Sequence, residues 1–159
     1  MASELLLDAL RSIEITQDLT PKQLEKLASI STYVSFSEGA TLFREGDDSE
    51  LVYLIQEGEV SLITQVPGQG QVTILTIGPG QLLGWSSLFP PQKKTAGAQT
   101  NLPTKVISIQ ATHLTALCAE DHDIGFEIMS RVAQVSTKRL IAARNLIMDT
   151  FEAAQTKKK

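Results

Sequence analysis

Gly80-Gln81-Leu82-Leu83-Gly84-Trp85-Ser86-Ser87-Leu88-Phe89-Pro90-Pro91-Gln92-Lys93-Lys94-Thr95-Ala96-Gly97-Ala98 is the stretch around which the chain is organised. Two glycines frame a short apolar run, and glycine allows a closer backbone approach than any other residue. The pair Ser86-Ser87 suits the opening of one helical turn, where serine side chains satisfy free N–H groups. Pro90 and Pro91 stop that turn. Lys93 and Lys94 add positive charge just before a β-like segment. Free N–H groups, glycines and lysines in this order are the parts of an anion cradle.

Around this stretch the chain reads as short strands broken by glycine turns, over 32–36, 41–43, 51–56, 59–65, 71–77, 95–100 and 105–110. Val60 and Leu62 alternate with Ser61 and Ile63, and Val72, Ile74 and Thr76 with Thr73, Leu75 and Ile77. Strands apolar on both faces fit a barrel or two stacked sheets. Gln65-Val66-Pro67-Gly68-Gln69-Gly70 reads as a hairpin loop. Many short strands at even spacing predict a jelly roll or a related closed β architecture.

Helical periodicity flanks this region. From Ser3 to near Glu14, Leu6, Leu7, Leu10 and Ile13 share one face. Thr20-Pro21-Lys22-Gln23 reads as a helix start, with Thr20 as N-cap and Gln23 as its partner, and that helix ends by Ser31. A short helix is expected over 112–118, and Asp121 or Asp123 caps a long one running to about Phe151. Met129, Ala133, Ser136, Leu140, Ala143, Ile147 and Phe151 form one stripe on it, and Ile128, Val132, Val135, Ala142 and Leu146 another. That is more apolar face than packing on one barrel needs, so a partner helix is expected. Arg131, Lys138, Arg139 and Arg144, with Glu127 and Asp149, are expected to rim that seam.

With Glu45-Gly46-Asp47, Tyr53-Leu54-Ile55-Gln56-Glu57-Gly58-Glu59-Val60, Gly80 and Leu83-Gly84 in this order, the chain resembles the cyclic nucleotide-binding domains of the catabolite activator and protein kinase A regulatory subunit class. The resemblance covers roughly Leu24 to Leu146. It implies an eight-stranded jelly roll, a double-stranded β-helix with helices at both ends and a long C-terminal helix. It also implies a phosphate-binding cassette between strands six and seven. The family's cassette runs Phe-Gly-Glu, a short helix, then Arg-Ser/Thr-Ala, and here these positions read Leu83-Gly84-Trp85 and Lys94-Thr95-Ala96. The glutamate that accepts from the ribose hydroxyl is thus Trp85, and the arginine that clamps the cyclic phosphate is Lys94, or Lys93 after a one-residue shift.

The candidate ligand-binding residues are therefore Gly84, Trp85, Ser86, Ser87, Leu88, Lys94, Thr95 and Ala96. Losing a hydrogen bond to a charged group costs about 1.5–3 kcal/mol, and an ammonium lacks the planar fork of a guanidinium. Weak or absent binding of cAMP and cGMP is the expectation, with another phosphorylated small molecule as the alternative ligand. Trp85 reads as a plug in the sugar space or as a stacking platform for a different base. Ser86 and Ser87 also read as simple caps of their own turn, and the two lysines as exposed loop charge.

With 159 residues, 42% of them hydrophobic and 20% charged, one globular domain is expected: helices over 1–31, a jelly roll over 32–110 and helices over 111–152. A net charge of −4 argues against a nucleic-acid surface, and the chain's end at Lys159 leaves no room for a DNA-reading module. One cysteine, an acidic N-terminal stretch and no long apolar run read as a cytoplasmic, non-membrane protein. His113 and His122 lack the spacing of a metal site, and no nucleophile–base motif marks an enzyme. The expected function is a stand-alone regulatory or sensor domain, homodimeric through residues 124–151. The alternative is a ligand-free interaction module plugged by Trp85.

Overall fold

Thr20 sets the first well-defined helix start. Its hydroxyl accepts from Gln23 N at 3.2 Å while Gln23 Oε1 accepts from Thr20 N at 2.9 Å, the reciprocal capping box expected for α2 (Pro21–Ser29). The computed structural model describes residues 2–13, 16, 18–48, 50–89 and 93–157, the side chains of residues 2, 3, 85, 86 and 157 excepted. Helix α1 spans Ala2–Arg11 and turns Leu6, Ala9 and Leu10 inward. It ends three residues before the expected end near Glu14, and the stop at Pro90-Pro91 lies outside the described residues.

Eight antiparallel strands follow: β1 (Ser31–Phe36), β2 (Thr41–Phe43), β3 (Leu51–Glu57), β4 (Val60–Val66), β5 (Gly70–Ile77), β6 (Leu82–Leu83), β7 (Gly97–Thr100) and β8 (Thr104–Gln110). They form two four-stranded sheets, in the orders β1-β8-β3-β6 and β2-β7-β4-β5. Tyr33 lies opposite Ile107, Val52 opposite Ile109 and Leu62 opposite Ala98. Strand β3 is buried on both faces, through Val52, Tyr53, Leu54 and Ile55. This is the mainly β fold with flanking helices that the strand spacing predicts.

Gly58 shows how tightly the β3–β4 turn is drawn in. Its φ is +106°, and a Cβ there would stand 2.5 Å from Thr104 Oγ1 and 2.7 Å from the Pro103 carbonyl oxygen. The β4–β5 hairpin turns through Pro67-Gly68-Gln69, as expected, and β4 carries an irregularity between Leu62 and Ile63.

One strand is additional to the expectation and one begins two residues late, the other boundaries falling within one residue. Leu82–Leu83 pairs with Leu54 and Tyr53 as β6, although two residues are too few to show a period. Strand β7 begins at Gly97 rather than Thr95, because the preceding backbone is bonded elsewhere. Lys94 N donates to Asp47 O at 2.9 Å, and Gly46 N to Lys94 O at 2.8 Å.

After β8 come α3 (Ala111–Glu120) and α4 (His122–Lys157). Asp121 caps α4, accepting from the amides of Asp123 and Ile124, and its carboxylate also receives Gln23 Nε2 at 3.1 Å. That contact fixes α2 against the start of α4. Ile124, Ile128, Val132 and Val135 of α4 are buried, and the helix packs on β5 and β6 before continuing six residues beyond Phe151. Among the described residues no helix is long and apolar enough to cross a membrane, and no cluster of metal-ligating side chains is present.

Candidate functional site

The cassette stretch begins where β6 leaves β3. Gly84 turns the chain with φ +78°, and a single 3-10 turn, Trp85–Leu88, follows. Ser87 N donates to Gly84 O at 3.1 Å, so the turn closes on itself. Across from it, Lys93 pairs with Asp48 in an isolated β-bridge, and its ammonium meets the Asp48 carboxylate at 2.7 Å. Both side chains of this pair are exposed, and each holds the other in its charged form: the Asp48 carboxyl below its usual range, the Lys93 ammonium above. Lys93 is therefore a solvated partner of Asp48 that fastens the end of the loop.

Lys94 points the other way. The residue is 5% exposed, and Nζ donates to Ser87 Oγ at 2.9 Å, Leu51 O at 3.1 Å and Gly84 O at 3.2 Å. These bonds match the three protons of an ammonium. Nζ also lies 4.4 Å from the centroid of the Phe43 ring, within cation–π range. Phe43 stacks on Tyr53, with ring centroids 6.3 Å apart. Burial pulls the Lys94 ammonium down from 10.5 to about 8, and the charge of Asp47 opposes that shift. Burial likewise pushes the Tyr53 phenol up.

Ser87 is the hub of this cluster. It is 1% exposed, and its hydroxyl donates to Leu51 O at 3.0 Å while accepting from Lys94. Gly84 is glycine for two reasons: the positive φ, and the space that the ammonium fills. A Cβ there would meet Lys94 Nζ at 2.8 Å and Leu51 O at 2.9 Å.

Of the candidate residues, the fold thus brings Gly84, Ser87 and Lys94 into one bonded group. Ala96 is buried beside them, Leu88 packs against the core and Thr95 is exposed. The side chains of Trp85 and Ser86, and with them the expected tryptophan plug, lie outside the described set.

Arg139, expected on the rim of a helix–helix seam, borders the cavity between the cassette and the sheet, together with Phe43, Leu83, Lys94 and Ala96. Its guanidinium is drawn below its usual range by burial, against the charge of Glu45. On α4, Arg139 is four residues beyond Val135, and i,i+4 positions share a face. Val135 is buried under the helix, so the signal was a cation continuing an apolar stripe. The cavity itself offers about 10 Å³, room for about one water molecule, whereas small-molecule sites typically span about 300–1,000 Å³.

Residues 33–121 match the cyclic nucleotide-binding domain family. Among solved structures, a candidate cyclic nucleotide-binding protein from Geobacter metallireducens GS-15 is 29% identical, with a TM-score of 0.70 over 84% of this chain and 96% of that one. A cyclic nucleotide-binding domain from Methylobacillus flagellatus KT is 25% identical, with a TM-score of 0.74 over 93% and 83%. The catabolite activator protein of Thermus thermophilus shares the fold at 22% identity, with a TM-score of 0.68 over 87% and 62%. The comparison with curated proteins returned no match. With more than half of its length matched and the roll, cassette and long helix in the family's order, the chain belongs to the cyclic nucleotide-binding domain family.

Proposed function

We propose that the chain is a regulatory domain of the cyclic nucleotide-binding class whose cassette is closed from within. On this reading it binds cAMP and cGMP weakly or not at all, and acts through its long helix rather than by catalysis. The observation that carries the reading is the Lys94 ammonium, bonded to Leu51 O, Gly84 O and Ser87 Oγ. To grip a phosphate, it would have to leave buried acceptors unsatisfied, at about 1–3 kcal/mol each.

Calorimetric titration tests this. No saturable binding of cAMP or cGMP is expected below about 1 mM, the weak end of specific binding. A micromolar dissociation constant for either would overturn the reading.

The exposed face of α4 supports self-association within the same proposal. Phe126, Leu140, Ile147 and Phe151 are 69%, 71%, 56% and 65% exposed. Phe126, Ala133, Leu140 and Ile147 recur every seven residues, with Met129, Ser136 and Ala143 at the intervening positions. That is a self-complementary seam for a second copy of the same helix. An apolar groove between the β4–β5 hairpin and Leu146, Ile147 and Phe151 extends the apolar surface beside it. Sedimentation equilibrium is expected to show a homodimer, and a monomer at high concentration would count against the seam.

A further inference from the structure

We propose that Lys94 is the cassette's built-in ligand: its ammonium gathers β3, Gly84 and the 3-10 turn around itself, so that the loop folds and stays folded without any ligand from outside. The proposal deepens the closed-cassette reading and rests on it.

Three observations carry it. The oxygens that the ammonium touches come from two segments, β3 and the cassette turn, and all are neutral: the Leu51 and Gly84 carbonyls and the Ser87 hydroxyl. With the Phe43 ring face as a fourth side, they make a cage for a monovalent cation, and that cation is covalently part of the chain. Second, the cage is shaped to its occupant, because any side chain at position 84 would collide with Nζ. Third, the lysine arrives prepositioned. Its own N–H and carbonyl are held by Asp47 O and Gly46 N in the β2–β3 turn, so the backbone from which the ammonium reaches into the cage is already fixed. Arg139 of α4 borders the same cavity.

Amide hydrogen exchange on the full chain tests the proposal, with the Ser87 amide as reporter, since it is bonded to Gly84 O. Three proteins are compared: wild type, Lys94→Met and Lys94→Ala. The alanine variant lacks a propylammonium-sized fragment, so n-propylammonium is the rescue probe and n-propanol its uncharged control.

In both variants exchange at the Ser87 amide is expected to accelerate about tenfold or more, and by more than any acceleration at β8 amides, as local opening implies. Propylammonium, but not propanol, is expected to slow exchange in Lys94→Ala. Unchanged cassette exchange in both variants would overturn the proposal, as would equal rescue by propanol. Acceleration at β8 amides equal to that at Ser87 in both variants would overturn it too, because the lysine would then hold the whole fold rather than the cassette. Adding cAMP to wild type separates the two readings. Tight cAMP binding together with faster exchange in the variants defeats the closed-cassette reading alone. No binding together with unchanged exchange defeats the lysine's role alone.

Discussion

Ser87 accepts a hydrogen bond from the Lys94 ammonium at 2.9 Å and passes one on to the Leu51 carbonyl at 3.0 Å, so one buried hydroxyl joins the cassette turn to β3. Ser87→Ala removes an acceptor from the ammonium and a donor from the carbonyl at once. Destabilisation by about 1–3 kcal/mol is expected in urea unfolding. In a Lys94→Met background the same substitution is expected to cost less, because the charge that needed the hydroxyl is gone. A double-mutant cycle with no coupling would show that the two side chains act independently.

The pH dependence of stability has a definite sign. Lys94 holds its proton to about pH 8 in the folded protein, against an ordinary value of 10.5. Between those values the unfolded chain binds a proton that the folded chain lacks, so stability rises with pH. The slope is at most about 1.4 kcal/mol per pH unit for one proton. Below about pH 8 both states are protonated at this group and its contribution is flat. Melting temperatures of wild type and Lys94→Met, compared from neutral pH to about pH 10, are expected to diverge in favour of wild type. Because the comparison is between two proteins, the titrations of Tyr53 and Cys118, both pushed up by burial, cancel.

Gly58→Ala is expected to be among the costlier single substitutions. The new Cβ would stand 2.5 Å from Thr104 Oγ1 and 2.7 Å from backbone, at a φ of +106°. Strain and displacement together predict a loss of about 2–4 kcal/mol by chemical unfolding. A loss under about 0.5 kcal/mol, as at an ordinary surface site, would mean that the turn relaxes freely.

Leu140→Glu and Ile147→Glu probe the α4 seam, since both residues are exposed. In a dimer joined there, each substitution is expected to shift sedimentation toward monomer while leaving the far-ultraviolet dichroism of the barrel unchanged. An unaltered dimer in the double variant would place the contact elsewhere.

Thr20→Ala removes the acceptor at the start of α2. A loss of about 1 kcal/mol is expected in thermal unfolding, the usual cost of an N-cap.

Much of this architecture was legible because its signals are local. A threonine followed three positions later by glutamine suffices for a capping box, and Pro67-Gly68-Gln69 suffices for a hairpin turn. The alternation in β4 and β5 predicted the two-faced strands, and the two stripes expected on α4 divide in the structure into one buried through Ile128, Val132 and Val135 and one exposed through Leu140, Ile147 and Phe151. The two-residue β6 was not legible, since its pairing to β3 is set by neighbours far along the chain.

By itself, the sequence determined the order of strands and helices apart from β6, the Thr20 cap, and the glycine-framed loop with lysines at its end. It did not determine which way those lysines point. Lys93 and Lys94 are adjacent and chemically identical, yet one lies in solvent against Asp48 and the other is enclosed against two carbonyls, a hydroxyl and an aromatic face. Only the tertiary structure could decide that, because the acceptors at Leu51, Gly84 and Ser87 converge through the pairing of β3 with β6. The placement of Arg139 against the cavity follows for the same reason, from the packing of α4 on the roll. A buried charge goes where the folded backbone offers unpaired oxygens.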